Sequence, residues 1–194
     1  MLFFGRTVTP IQSTTPPRRE EKKQIEQLIA GVASGSREAM EQLYLRVHGP
    51  VYGFVLSITK NPQDAEDVVS DLFIRLYDVA SNYQPEGKPM AWLFSIARNL
   101  ALMKLRSSKR NTHLTAEEWE AFPYEGERVT PEERLLLAEA MTGLSEEERQ
   151  ILMLHAAAGF KHREIASLLE LPLPTVLSKY HRAIKKLSRK FEEE

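Results

Sequence analysis

Apolar residues recur along this chain at the three- and four-residue spacing of amphipathic helices. Ile25, Leu28, Ile29 and Val32 open the series. Ser34-Gly35-Ser36 interrupts it and supplies a cap for a second helix carrying Ala39, Leu43, Tyr44 and Val47. Pro50 reads as a restart, after which Val51, Phe54, Val55 and Ile58 continue the core face. Asn61-Pro62 is a helix start, with Asn as the cap and Pro at the first position. Ala65, Val68, Val69, Leu72, Phe73, Leu76, Val79 and Ala80 then form one face of a helix over 62–80. Met90, Leu93, Phe94, Ala97, Leu100 and Ala101 do the same for a helix from Met90 to about Arg110. Past a polar stretch, Ser145-Glu146-Glu147-Glu148 caps a helix that Gly159 ends. No strand-like alternation of any length appears. The fold class is all-α, with two small helical domains joined by a flexible acidic linker.

Two helices at the C-terminal end sharpen the picture. Lys161–Glu170 has Ile165, Leu168 and Leu169 on one face, and Leu171-Pro172-Leu173 separates it from a helix opening at Pro174. In that last helix Val176, Tyr180, Ala183, Ile184, Leu187 and Phe191 share one side. Thr175, Ser178, Lys179, Arg182, Lys185, Lys186, Arg189 and Lys190 share the other. Helix, short turn, then a helix with a face of hydroxyls and cations is the helix-turn-helix layout, with cations for phosphates and short polar groups for base edges. A solvated basic helix is the plainer alternative.

Two further faces carry chemistry. Asp64, Asp67, Asp71 and Asp78 line one side of the 62–80 helix, with Ile74 beside them. Aligned acids repel, so the stripe is either a solvated face or a docking surface for a basic partner. On the Met90 helix, Ser95, Arg98, Asn99, Arg106, Lys109 and Arg110 share a polar face with Trp92 at its edge, while Lys104 projects elsewhere. Cations, an amide and an indole together suit single-stranded nucleic acid, the ring stacking on a splayed base. Pairing of Arg98 with an acid on a neighbouring helix remains equally open.

Composition narrows the function classes. Among 194 residues, 26 basic and 27 acidic side chains nearly cancel, but they are segregated. Residues 160–194 hold 8 basic and 5 acidic side chains, and residues 111–134 hold 2 basic and 7 acidic. Such segregation fits a modular protein. With no cysteine, disulfides, thiolate metal sites and thiol nucleophiles are excluded. His48, His113, His155, His162 and His181 show no metal-ligand spacing; His155 and His162 are split by Gly159 and share no helix face. There is no glycine-rich phosphate loop. Neither catalytic residues, metal nor cofactor is expected, so the protein is read as a non-enzyme. No apolar run reaches membrane-spanning length, and a cytoplasmic location without membrane insertion is expected.

In this order the pieces resemble a known family. NPQDAEDVVSDLFIRLYDVA followed by MAWLFSIARNLALMKLRSSKR resembles region 2 of sigma-70-type transcription initiation factors. LSEEERQILMLHAAAGFKHREIASLLELPLPTVLSKYHRAIKKL resembles their region 4. With only these two domains, the chain resembles the extracytoplasmic-function (group 4) sigma factors. The resemblance implies an N-terminal arm over 1–23, region 2 over 24–110, an acidic linker over 111–130 and region 4 over 131–194. It implies three kinds of partner: core RNA polymerase, promoter DNA as a −35 duplex and a −10 single strand, and an anti-sigma factor. No small-molecule substrate is implied.

By the same resemblance, Asp64, Asp67, Asp71, Leu72, Phe73 and Ile74 would dock on the polymerase. Tyr83, Lys88, Trp92, Arg98, Asn99, Arg106, Lys109 and Arg110 would capture the melted −10 strand, with a base extruded into a loop pocket. Thr175, Ser178, Lys179 and Arg182 would enter the major groove of the −35 element, with Lys185, Lys186 and Arg189 near phosphates. The chain departs from the pattern at Met103, Leu177 and Glu170, the last requiring a left-handed turn at a cost of about 1 kcal/mol. The loop Asn82-Tyr83-Gln84-Pro85 lacks the basic-aromatic pattern often found there. A self-sufficient helix-turn-helix regulator, and a polymerase antagonist that binds no promoter, are the two other readings.

Overall fold

The computed structural model describes residues 19–107, 115, 116, 119 and 131–192. These residues contain eight α-helices, one 3-10 turn and no strand. The first half holds α1 (Arg19–Ala33), α2 (Arg37–Thr59), α3 (Pro62–Val79), the turn Ala80–Asn82 and α4 (Pro89–Ser107). The second half holds α5 (Pro131–Thr142), α6 (Glu146–Ala156), α7 (His162–Leu169) and α8 (Leu173–Glu192). The all-α expectation stands. The expected arm over 1–23 falls mostly outside the described residues, as does most of the expected linker over 111–130.

Several boundaries are set by the expected local chemistry. Ser36 accepts a hydrogen bond from the Ala39 N–H at 3.1 Å and starts α2. Asn61 accepts from the Asp64 N–H at 2.9 Å and starts α3, with Pro62 at its first position. Glu170 takes the left-handed conformation, with φ 58° and ψ 38°, that the absence of glycine there required.

Three boundaries differ. α1 begins at Arg19, five residues before Gln24. Its opening residues are good helix formers, and Glu20 and Glu21 favour the positive end of the helix. α2 runs through Pro50 without restarting. Proline in a helix interior costs about 3 kcal/mol. Every residue from Val51 to Thr59 is buried, and each large apolar side chain there contributes roughly 1.5–3 kcal/mol, so burial wins. α8 opens one residue before Pro174, because the Pro172 carbonyl accepts the N–H groups of Thr175 (2.9 Å) and Val176 (3.1 Å).

The two halves share one core. α2 packs on α1, α3 and α4 and also on α6, and α4 meets α7. Phe94 of α4 and Phe160, just before α7, form an edge-on ring pair at 5.1 Å. Lys60 bridges to Glu146 at 2.7 Å and Lys22 to Glu164 at 3.7 Å, tying the surface of the same contact. Trp119, within the expected flexible linker, is 1% exposed. That anchor was not expected. Taking an indole of that size out of water offsets the cost of ordering the side chain.

The start of α6 is a buried electrostatic joint. The Ser145 N–H donates to Glu148 Oε2 at 2.8 Å, and the Glu148 N–H donates to the Ser145 hydroxyl at 3.4 Å. The same Glu148 oxygen accepts from Lys186 Nζ on α8 at 2.7 Å. Burial pushes the Glu148 carboxyl up, but Lys186 and the Ser145 groups outweigh it, and the net is a pKa below the ordinary 4.5. A depressed carboxylate contributes stability above its unfolded value and loses it as pH falls through the folded value. Glu148→Gln should therefore lower stability at pH 7 by about 1–2 kcal/mol and flatten the loss of stability below pH of about 4.5. Denaturant unfolding at stepped pH reads both effects.

Candidate nucleic-acid interface

α3 turns its apolar face inward and its acids outward. Leu72 is 0% and Phe73 8% exposed, so these two expected docking residues support the face from beneath instead of lining it. The helical period places them among Ala65, Val68, Val69 and Leu76. Ile74, by contrast, is 67% exposed beside exposed Asp71 and Asp67. Asp64 and Asp67 are not bare: Lys104 of α4 reaches Asp67 at 2.8 Å and Asp64 at 3.4 Å. Lys104 thus does lie away from the polar face of α4, and its partners are the acids of α3. Those hydrogen bonds raise its pKa. The outward stripe is thereby narrowed to Asp67, Asp71, Ile74 and Asp78.

On α4 the polar face begins where Trp92 meets Tyr83, ring centroids 5.0 Å apart and tilted 55°. Ser95 donates its hydroxyl back to the Trp92 carbonyl at 2.7 Å, so it is occupied locally. Arg98 and Asn99 face α7 across a cleft of about 480 Å³ whose walls also include Lys88, Arg163 and Ser167. Among the described residues Arg98 makes no ion pair. Arg106 is exposed at the end of α4. Lys109 and Arg110 lie outside the described residues. Met103, one of the departures, is 63% exposed.

In the second half, α7 and α8 hold the helix-turn-helix geometry on Val176, Ala183 and Leu187, all buried. Ser178, Arg182, Lys185 and Arg189 are exposed, and Thr175 is half-buried at the start of the helix. Two expected DNA-facing lysines have partners within the domain. Lys179 pairs with Glu147, and Lys186 with Glu148. Lys190 likewise reaches Glu139 at 3.3 Å. Lys186 projects between the two faces of α8, and its buried acceptor gives it a structural task. Leu177 is 37% exposed, on the edge of the readable face.

The histidines hold an unexpected contact. Gly159, at φ 70°, reverses the chain after α6 and brings His162 back onto His155, ring centroids 4.4 Å apart. Helix-face arithmetic on one helix could not find a pair made across a turn. Tyr180 of α8 sits edge-on to both rings, at 4.8 and 4.7 Å. His155 Nδ1 lies 2.8 Å from the Phe160 carbonyl. Among the described residues no group of three His, Cys, Asp or Glu could hold a metal ion, and no helix is long and apolar enough to cross a membrane.

A helical body with an acidic outer face on α3, a cationic polar face on α4 and a helix-turn-helix fits the layout of a transcription initiation factor. Sigma-70 region 2 matches residues 43–111, and Sigma-70, region 4 matches residues 134–187, together well over half the chain. The RNA polymerase sigma-H factor of Pseudomonas aeruginosa is 28% identical over 177 residues, covering 84% of this chain and 91% of that protein. The ECF RNA polymerase sigma factor SigL of Mycobacterium tuberculosis is 28% identical over 172 residues, covering 85% and 96%. The chain belongs to the sigma-70 family, as an extracytoplasmic-function sigma factor. Two solved structures share its fold. CnrH, in complex with the cytosolic domain of CnrY, superposes with a TM-score of 0.62 at 24% identity, covering 88% of this chain and 99% of that one. The sigma factor RpoE, in complex with the anti-sigma factor NepR from Bartonella quintana, gives 0.61 at 22% identity, covering 78% and 96%.

The histidine pair has a measurable consequence. Burial, then the nearby His155 and His181, hold the His162 pKa below its ordinary 6.5. A histidine kept neutral in the fold lets the unfolded chain bind more protons, so stability falls as pH drops below about 6.5. Thermal unfolding between pH 7 and 5 should show that fall, and His162→Gln should flatten it while leaving the acid limb below pH of about 4.5 in place.

Proposed function

We propose that this sigma factor binds core RNA polymerase through the outer face of α3 and reads promoters with two separate surfaces. Asp67, Asp71, Asp78 and Ile74 form the polymerase-facing strip, an exposed β-branched residue among acids that suits a basic, partly apolar partner surface. Tyr83, Lys88, Trp92, Arg98, Asn99 and Arg106 receive the separated −10 strand: cations meet phosphates and the Trp92 and Tyr83 rings meet a splayed base. Thr175, Ser178 and Arg182 read the −35 duplex, with Lys185 and Arg189 on its backbone. The observation that carries this reading is the separation on one chain of an acidic–apolar face and a hydroxyl–cation face, each on its own half of the fold.

The protein acts by binding, and the bond-forming chemistry belongs to the polymerase. Contacts made only to the separated strand favour melting, because they stabilise the open form relative to the duplex. Arg98 and Asn99 line the cleft between α4 and α7, where the separated strand would meet them. An anti-sigma factor is proposed as the regulatory partner. The two structural neighbours were each solved with a partner, and an apolar contact built on Phe94 and Phe160 is one that a wedging partner could replace. A cytoplasmic location follows from the proposed partners.

Two charge reversals separate the surfaces. Asp71→Arg should weaken co-elution with core polymerase about tenfold or more and leave binding to a −35 duplex unchanged. Arg182→Glu should do the opposite, lowering duplex affinity by roughly 5- to 100-fold at constant core affinity. Size-exclusion binding with core enzyme and fluorescence anisotropy on duplex DNA read the two arms. Equal loss in both arms from either variant would remove the two-surface assignment.

A further inference from the structure

Glu26 lies in α1, outside every segment described so far as touching DNA or polymerase. Its Oε1 accepts a hydrogen bond from the Tyr83 hydroxyl at 2.8 Å and another from the Gly87 N–H at 2.9 Å. The two donors bracket Gln84, Pro85 and Glu86, all exposed. One carboxylate oxygen therefore ties both ends of the loop that precedes α4.

The rest of the loop depends on those ends. Tyr83 is fixed on its other side by the Trp92 ring at 5.0 Å and through its N–H to the Ala80 carbonyl at 3.1 Å. Inside the loop the Glu86 N–H donates to the Gln84 carbonyl at 2.7 Å. Gly87 sits at φ 73°, with open space around a hypothetical Cβ, so its backbone conformation is what calls for glycine. Burial and the Glu26 carboxylate push the Tyr83 phenol well above its ordinary pKa, so it stays a donor across the working pH range. A carboxylate is a stronger acceptor than a neutral oxygen.

We propose that Glu26 is the positioning residue of the strand-capturing loop, clamping Tyr83 and Gly87 so that residues 84–88 present a preformed receptor for one unpaired base of the −10 strand. This rests on the reading of Trp92, Arg98 and the preceding loop as the −10 surface. A clamp on a carboxylate some 57 residues away in sequence orders the loop before DNA arrives, and preordering favours both affinity and discrimination. The role is not one of holding α1 in place. That helix is seated by Ile25, Ile29 and Val32, which are buried, and Arg46 bonds to Gln24 at 2.7 Å.

The test uses the full chain with core polymerase. The probes are forked promoter oligonucleotides whose unpaired −10 bases are varied one at a time, alongside a −35 duplex. Glu26→Ala should lose about tenfold of discrimination at one position of the unpaired strand, the scale of one well-placed base contact. Core co-elution and −35 affinity should stay near those of the unaltered chain, with a thermal midpoint lower by only about a few degrees. Glu26→Gln, whose amide oxygen can accept both bonds, should keep most of the discrimination. Tyr83→Phe should lose part of it, because the ring on Trp92 remains. Unchanged discrimination in Glu26→Ala would overturn the clamp, as would equal loss in Glu26→Ala and Glu26→Gln. Uniform loss on both probes would also overturn it, pointing to general destabilisation. Absence of any base preference in the unaltered chain would overturn the −10 reading itself, and the clamp with it.

Discussion

From Val51 to Thr59 every side chain of α2 is buried, and helices from both halves of the chain lean on that segment. α1, α3 and α4 surround it from the first half, and α6 reaches it from the second. A helix apolar on all sides can persist only inside a body. α3 and α4, which bear the proposed polymerase and strand surfaces, are therefore oriented from within, while α8 is seated on α5, α6 and α7. α3 and α4 present to solvent what they cannot bury on α2, and that remainder is acidic on one helix and cationic on the other.

Charge is then sorted by short intramolecular pairs. Lys104 takes up Asp64 and Asp67, Lys179 takes up Glu147, and Lys186 takes up the buried Glu148. The exposed pairs of Lys104 and Lys179 add little to stability, typically under about 1 kcal/mol. Their larger effect is on which charges remain for a partner. On α8 the exposed set contracts to Ser178, Arg182 and Lys185 with Thr175 at the entrance. On α3 it contracts to Asp71, Asp78 and Ile74, with the Lys104-paired Asp67 still exposed beside them. In the proposed reading the factor works through that remainder and through the loop held at Tyr83 and Gly87.

Features that depend on neighbours in sequence were legible before the fold. Asn61 before Pro62, Ser145 with Glu148, and the left-handed Glu170 are one-turn events governed by backbone hydrogen bonding and sterics. Pro50 was misleading because its local cost is real but smaller than the burial of the nine residues after it. Leu72 and Phe73 follow the core period, which the family resemblance passed over. The contacts that sequence could not give are the distant ones: Lys104 to Asp67, Tyr83 to Glu26, and His155 onto His162 around the Gly159 turn. Trp119 does carry a sequence signal, an indole within an acidic stretch, which is a composition that gives water little reason to keep it.

The most direct test of the whole account is reconstitution of the purified chain with bacterial core RNA polymerase, followed by abortive transcription on a promoter library. Co-elution and short transcripts that depend on two promoter elements are the expected result. Failure to co-elute, together with tight duplex binding by the chain alone, would contradict it and identify a stand-alone helix-turn-helix regulator.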